Sequence, residues 1–199
     1  MQGKLITIYG INNIGKSTHA HLLVKRLQDE GFDAVYVKYP IYDIEPTGTF
    51  LNRVLRESGH TGQQMSEEEL QMWFTLNRYQ FESRLRGWLS HGKIVIAEDY
   101  IGTGIGWGVT KGADQAWLES LNQYLLPADF SLLLEGSRTM KAKEEGHIHE
   151  ANDELVEQAR AVFARLAEAY RWTRIQIEPV KEDTAEKIYK EVRNFLHNA

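Results

Sequence analysis

The sequence predicts an α/β protein built on a parallel sheet with helices covering both faces. Five short apolar, β-rich runs alternate with stretches of helical periodicity, and strands separated by helices are the pattern of a parallel sheet. The chain has 199 residues and no internal repeat, low-complexity tract or linker, so we expect one domain over 1–199.

The first run, Leu5 to Tyr9, is followed by Thr18 to Glu30, where His21, Leu22, Lys25 and Leu27 fall at helical spacing before the stop signal Gly31. Ala34 to Tyr39 is the second strand, ended by Pro40; Ile94 to Ala97, Phe130 to Leu134 and Arg174 to Ile177 are the third to fifth. Helices are expected at about Gly48 to Glu57, from the capping box Ser66 to Glu69 as far as Gly92, and over Asp114 to Leu125. Two more run from about Asn152 to Tyr170 and from Asp183, which with Glu186 forms a second capping signal, to His197. Two segments fit neither class: Tyr100 to Lys111, with four glycines around Trp107, and the polar Glu144 to Asp153. In open α/β sheets ligands sit at the carboxyl ends of strands, so both segments and the loop after the first strand are expected to line one crevice.

Composition narrows the function. A net charge of -5 excludes a broadly basic nucleic-acid footprint, and small molecules are the expected partners. The absence of cysteine excludes thiolate metal sites and thiol catalysis. The first apolar run is too short for a signal-peptide core or a membrane span, so a soluble cytoplasmic protein without membrane partners is expected.

Between the first strand and its helix, Gly10-Ile11-Asn12-Asn13-Ile14-Gly15-Lys16-Ser17 matches GxxxxGK[ST]. The spacing and context are those of a phosphate loop. Amides of Gly10, Asn13, Ile14, Gly15 and Thr18 would surround an anion, Lys16 would reach the β- and γ-phosphates, and Ser17 would bind Mg2+. With no guanine-reading motif evident, ATP is the expected guest. On the long helix Leu70, Phe74, Asn77, Arg78 and Phe81 fall near one face, which puts an aromatic ring and a guanidinium one turn apart, suited to a flat base.

Several landmarks recur in order: "GINNIGKST", "KYPIY", "WFTLNRYQ", "EDYIGTGIGWG" and "LLPADFSLLLEG", then a charged segment and two helices. In these the chain resembles the thymidylate kinase family of nucleoside monophosphate kinases. The resemblance implies a phosphate-loop NTPase fold with strand order 2-3-1-4-5, a lid over about 141–153, ATP with Mg2+, phosphoryl transfer to dTMP, and a homodimer. It further implies that Phe74 stacks on the pyrimidine while Arg78 donates to it. Asn12, Tyr39, Tyr42, Tyr100, Gly104 and Trp107 would complete the acceptor site, and Glu98 would hold Mg2+ through water.

The departures are specific. The family usually writes Asp-Arg-Tyr after the third strand, its arginine binding the acceptor phosphate; here the residues are Glu98, Asp99 and Tyr100. A carboxylate ~4 Å from a phosphate repels it by about 4 kcal/mol per unit charge at an effective dielectric near 20. Asp99 must therefore turn away, meet a metal, or be offset by Lys38, Arg53 or Lys111. Asn12 replaces a common aspartate and Tyr9 a common glutamate. The lid segment "MKAKEEGHIHEAND" has no arginine, leaving Lys141 and Lys143 as the expected catalytic cations, beside His147 and His149, for which no zinc site is expected. Two alternatives stay open: a deoxynucleoside kinase using Glu98 or Asp99 as base, and a catalytically weak nucleotide-binding module.

Overall fold

The structure is a computed structural model, and it describes residues 2–57, 65–136 and 153–198. Five strands form one parallel sheet: β1 Lys4–Tyr9, β2 Ala34–Lys38, β3 Ile94–Glu98, β4 Phe130–Glu135 and β5 Thr173–Gln176. Their order is β2-β3-β1-β4-β5, as the resemblance implied. All five residues of β3 are buried, and so are five of the six in β1, whereas the edge strands bury only two of five in β2 and one of four in β5. Interior strands covered on both faces read as near-continuous apolar runs.

Seven helices accompany the strands among the described residues: α1 Lys16–Asp29, α2 Thr47–Glu57, α3 Glu67–Ser90, α4 Ile101–Thr110, α5 Gln115–Asn122, α6 Asp153–Ala169 and α7 Lys181–Asn198. Helices α1 and α7 pack together on one face of the sheet, while α3, α4 and α6 pack in turn on the other. The expected capping box of α3 is present, with Ser66 accepting from the Glu69 amide and Glu69 accepting from the Ser66 amide. The second capping signal is not. Helix α7 begins at Lys181, two residues before Asp183, and Glu186 instead pairs with Arg26 of α1.

The larger correction concerns Tyr100 to Lys111, expected as an irregular loop. It is helix α4. Four glycines in ten residues cost about 1 kcal/mol each in intrinsic helix propensity, but here each glycine makes room for a neighbour. A Cβ on Gly102 would lie 2.7 Å from the Trp172 and Tyr9 rings, one on Gly106 2.6 Å from Phe163, and one on Gly108 2.7 Å from Leu118. Close packing outweighs local preference.

Candidate active site

The phosphate loop leaves β1 at Gly10 and enters α1 at Lys16. Gly10, Asn13 and Gly15 hold φ of 146°, 62° and 99°, left-handed values that glycine and asparagine adopt with least strain. Helix α1 has no side-chain cap and no acidic residue in its first turn. Such a start, with its N-terminal amides and positive dipole end, suits an anion. Thr18 is exposed at that end, Ser17 is half-buried and Ile14 is buried.

Lys16 is buried, and its ammonium donates to the carbonyls of Gly10 and Ile11, 3.0 Å each. Ser17 Oγ donates to Glu98 Oε1 at 2.9 Å. Glu98 ends β3, an interior strand next to β1, and also receives the Tyr36 hydroxyl at 2.5 Å and the Lys38 ammonium at 3.2 Å. Burial, then the Glu98 carboxylate, pushes the Tyr36 hydroxyl well above its ordinary range, so it remains a donor. Asp99 adopts φ 60° and lies 3.5 Å from Lys16 Nζ, with Thr103 Oγ1 donating to it at 3.0 Å. Burial raises the Asp99 pKa, against the pull of Lys16.

Beside the loop is a cavity with about 720 Å³ of empty space, its open mouth included, between the segment after β2 and helices α3 and α4. Asn12, Tyr39, Tyr42, Phe74, Arg78, Gly104 and Trp107 line it together. Tyr100 does not. It is fully buried, its hydroxyl donating to the Leu126 carbonyl and its ring packing on Tyr39, so it supports the wall from behind. Lys141 and Lys143, with His147 and His149, lie outside the described residues.

Arg78 is only 3% exposed. Its Nη1 donates to Asn122 Oδ1 at 2.8 Å and Thr75 Oγ1 at 3.2 Å, while its Nε has no hydrogen-bond partner among the described residues. Burial pulls its pKa down to about 10, which still leaves it charged at neutral pH. A Cβ on Gly104 would lie 2.2 Å from Arg78 Nη2, so the glycine is the space the guanidinium occupies. Asn77 ties the segment after β2 to α3: its Oδ1 accepts from the Ile41 amide at 2.7 Å and its Nδ2 donates to the Ile41 carbonyl at 2.9 Å. That holds Tyr39 and Tyr42 over the cavity.

Gln71, Thr103 and Asn122 were missed from sequence, because each is a polar residue on a helix with no spacing signal of its own. Of the cations offered as offsets to Asp99, Lys38 is on Glu98, Lys111 pairs with Glu67 at 2.8 Å, and Arg53 lies 5.7 Å from the centre of the Phe50 ring. The phosphate-loop lysine itself meets Asp99.

A GxxxxGKS loop on the central strand of a 2-3-1-4-5 sheet is the architecture of phosphate-loop phosphotransferases, and the cavity beside it has room for one flat base. The thymidylate kinase family model matches residues 8–188. The chain belongs to that family of ATP-dependent nucleoside monophosphate kinases. Among its relatives, a probable thymidylate kinase of Pyrococcus abyssi (strain GE5 / Orsay) is 29% identical over 202 residues, covering 92% of this chain and 94% of the relative. The probable thymidylate kinase of Pyrococcus horikoshii is 30% identical over 189 residues, 88% of each chain. In fold, the chain is similar to the solved thymidylate kinase of Candida albicans, with a TM-score of 0.80 at 19% identity, over 97% of this chain and 92% of the other.

Proposed function

We propose that the chain transfers the γ-phosphoryl of ATP to dTMP, with the pyrimidine in the cavity between Phe74 and Arg78. The observation that carries this reading is the Arg78 guanidinium, buried beside the cavity, held by Asn122 and with an Nε unpartnered among the described residues. A buried donor without a partner costs about 1–3 kcal/mol, and a pyrimidine carbonyl in the cavity would offset part of that by engaging the guanidinium. Phe74 is half-buried on the same wall, one turn earlier, where a ring can stack on the base.

Lys16 and the amides of Gly15 and α1 would bind the β- and γ-phosphates of ATP. The oxygen donors present fit a hard cation: Ser17 Oγ and Glu98 Oε1 are 2.9 Å apart between loop and strand. They would hold Mg2+, which when bound neutralises charge on the β- and γ-phosphate oxygens. A monophosphate acceptor is already ionised at neutral pH, so its oxygen needs no general base. Lys141 or Lys143 would supply the cation that stabilises the transferring group. We further propose a cytoplasmic homodimer joined through α3, on which Met72 and Leu76 are exposed one turn apart.

ADP release from Mg-ATP with dTMP, dCMP, AMP and thymidine tests the acceptor, and Arg78→Ala tests the base site. We expect turnover with dTMP, and in the variant a dTMP KM raised by about 10–100-fold, with the ATP KM changed far less, as loss of one charged hydrogen bond would give. Equal effects on both KM values would remove Arg78 from the base site, and turnover with thymidine alone would overturn the acceptor.

A further inference from the structure

The cavity proposed for the acceptor contains a carboxylate that phosphoryl transfer to a monophosphate does not require. Asp99 lines it beside Asn12 and Thr103, where the family resemblance implies a phosphate-binding arginine. In this structure its charge is met by Lys16, 3.5 Å away. The same ammonium donates to the Gly10 and Ile11 carbonyls. Two of the ammonium's three N–H bonds are thus taken by loop carbonyls, and Asp99 is its ion-pair partner. Lys16 is also the side chain through which a phosphate loop reaches the β- and γ-phosphates of a nucleotide. Donor nucleotide and Asp99 therefore compete for one cation.

Asp99 is poorly placed to follow Lys16. Its backbone holds the left-handed conformation at φ 60°, and the Thr103 hydroxyl anchors Oδ1 at 3.0 Å. Lys111 is engaged by Glu67, and Lys38, paired with Glu98, offsets Asp99 less than Lys16 does. When ATP draws Lys16 toward its phosphates, the carboxylate left in the acceptor cavity loses the cation it is paired with.

We propose that Asp99 is a specificity-determining residue that sets the binding of ATP against the binding of a phosphate-bearing acceptor, while leaving an uncharged nucleoside indifferent to ATP. This rests on the acceptor occupying the Phe74 and Arg78 cavity. Binding free energies are reciprocal, so dTMP weakens ATP by the same factor as ATP weakens dTMP.

Calorimetric titration of the full chain tests this, with dTMP and with thymidine, in Mg2+, with and without a saturating non-hydrolysable ATP analogue. In the wild type we expect the analogue to weaken dTMP by about tenfold and to change thymidine by less than about twofold. Asp99→Asn keeps the size, tolerates the left-handed backbone and still accepts from Thr103, so the variant should fold. In it the dTMP coupling should shrink to about twofold or less. Wild-type protein that binds and turns over dTMP with an affinity unchanged or improved by the analogue overturns the proposal alone, as does undiminished coupling in Asp99→Asn. Failure of the wild type to bind dTMP in either state overturns the acceptor reading and this inference with it.

Discussion

His19 stands on the first turn of α1, 6% exposed, with its Nδ1 lacking a hydrogen-bond partner among the described residues. Burial, aided by the Lys181 ammonium, holds its pKa below the ordinary 6.5. The folded protein thus keeps the imidazole neutral where the unfolded chain takes up a proton. The resulting stability is fully present above the unfolded pKa and is lost as pH falls from there through the lowered folded value. We expect urea midpoints of the wild type to drop as pH falls below ~6.5, and those of His19→Gln to drop less over the same window. Parallel profiles would mean that other groups govern the acid limb. At this scale the sequence marked the turn from β1 into α1 well, because GxxxxGKS prescribes a backbone with glycines at positive φ. Tyr100 was misplaced, because an aromatic beside a strand end reads the same whether its ring enters the cavity or supports the wall.

Helix α4 shows how an element can escape local reading. Its glycines oppose helix formation individually, and only the neighbours they accommodate make the helix the best state. Gly106→Ala would put a methyl group 2.6 Å from the buried Phe163 ring. We expect it to cost about 1–3 kcal/mol, as overpacking does. Gly87 in α3 is the counterpart, with no heavy atom within 4 Å of an added Cβ, so Gly87→Ala should stabilise by about 0.5–1 kcal/mol through helix propensity. Denaturant midpoints of both variants check the pair, and destabilisation of similar size in each would mean that α4 packs less tightly than its glycine contacts indicate. Helix α3, in contrast, announced its start, because its capping box is a local signal, while its buried Gln71, Thr75, Asn77, Arg78 and Glu82 leave no apolar register to read.

For the whole molecule, the sheet order follows from chain connectivity rather than from any one residue: β1 lies between β3 and β4, with β2 outside β3 and β5 outside β4. That arrangement brings the loops after β1, β2 and β3 to one edge. The proposed homodimer is a prediction at the same scale. Met72 and Leu76 expose 42% and 50% of their surface on successive turns of α3. If α3 joins two copies, replacing both with glutamate should convert a dimer to a monomer in sedimentation velocity while circular dichroism stays unchanged. A wild type that sediments as a monomer at micromolar concentration would dismiss the dimer outright.

The sequence by itself determined the strand and helix alternation, the phosphate loop and the pairing of Phe74 with Arg78 on one helix face. Each of these is encoded in short-range spacing that backbone geometry converts directly into structure. Tertiary structure decided that Tyr100 to Lys111 contains a helix, that Gly104 is the space for a guanidinium, and that Asn122 and Asn77 hold the cavity's walls. It also decided that Asp99 rests against Lys16. These depend on contacts between residues up to 93 positions apart, as from Tyr9 to Gly102, where packing and charge act through space and leave no periodic trace along the chain.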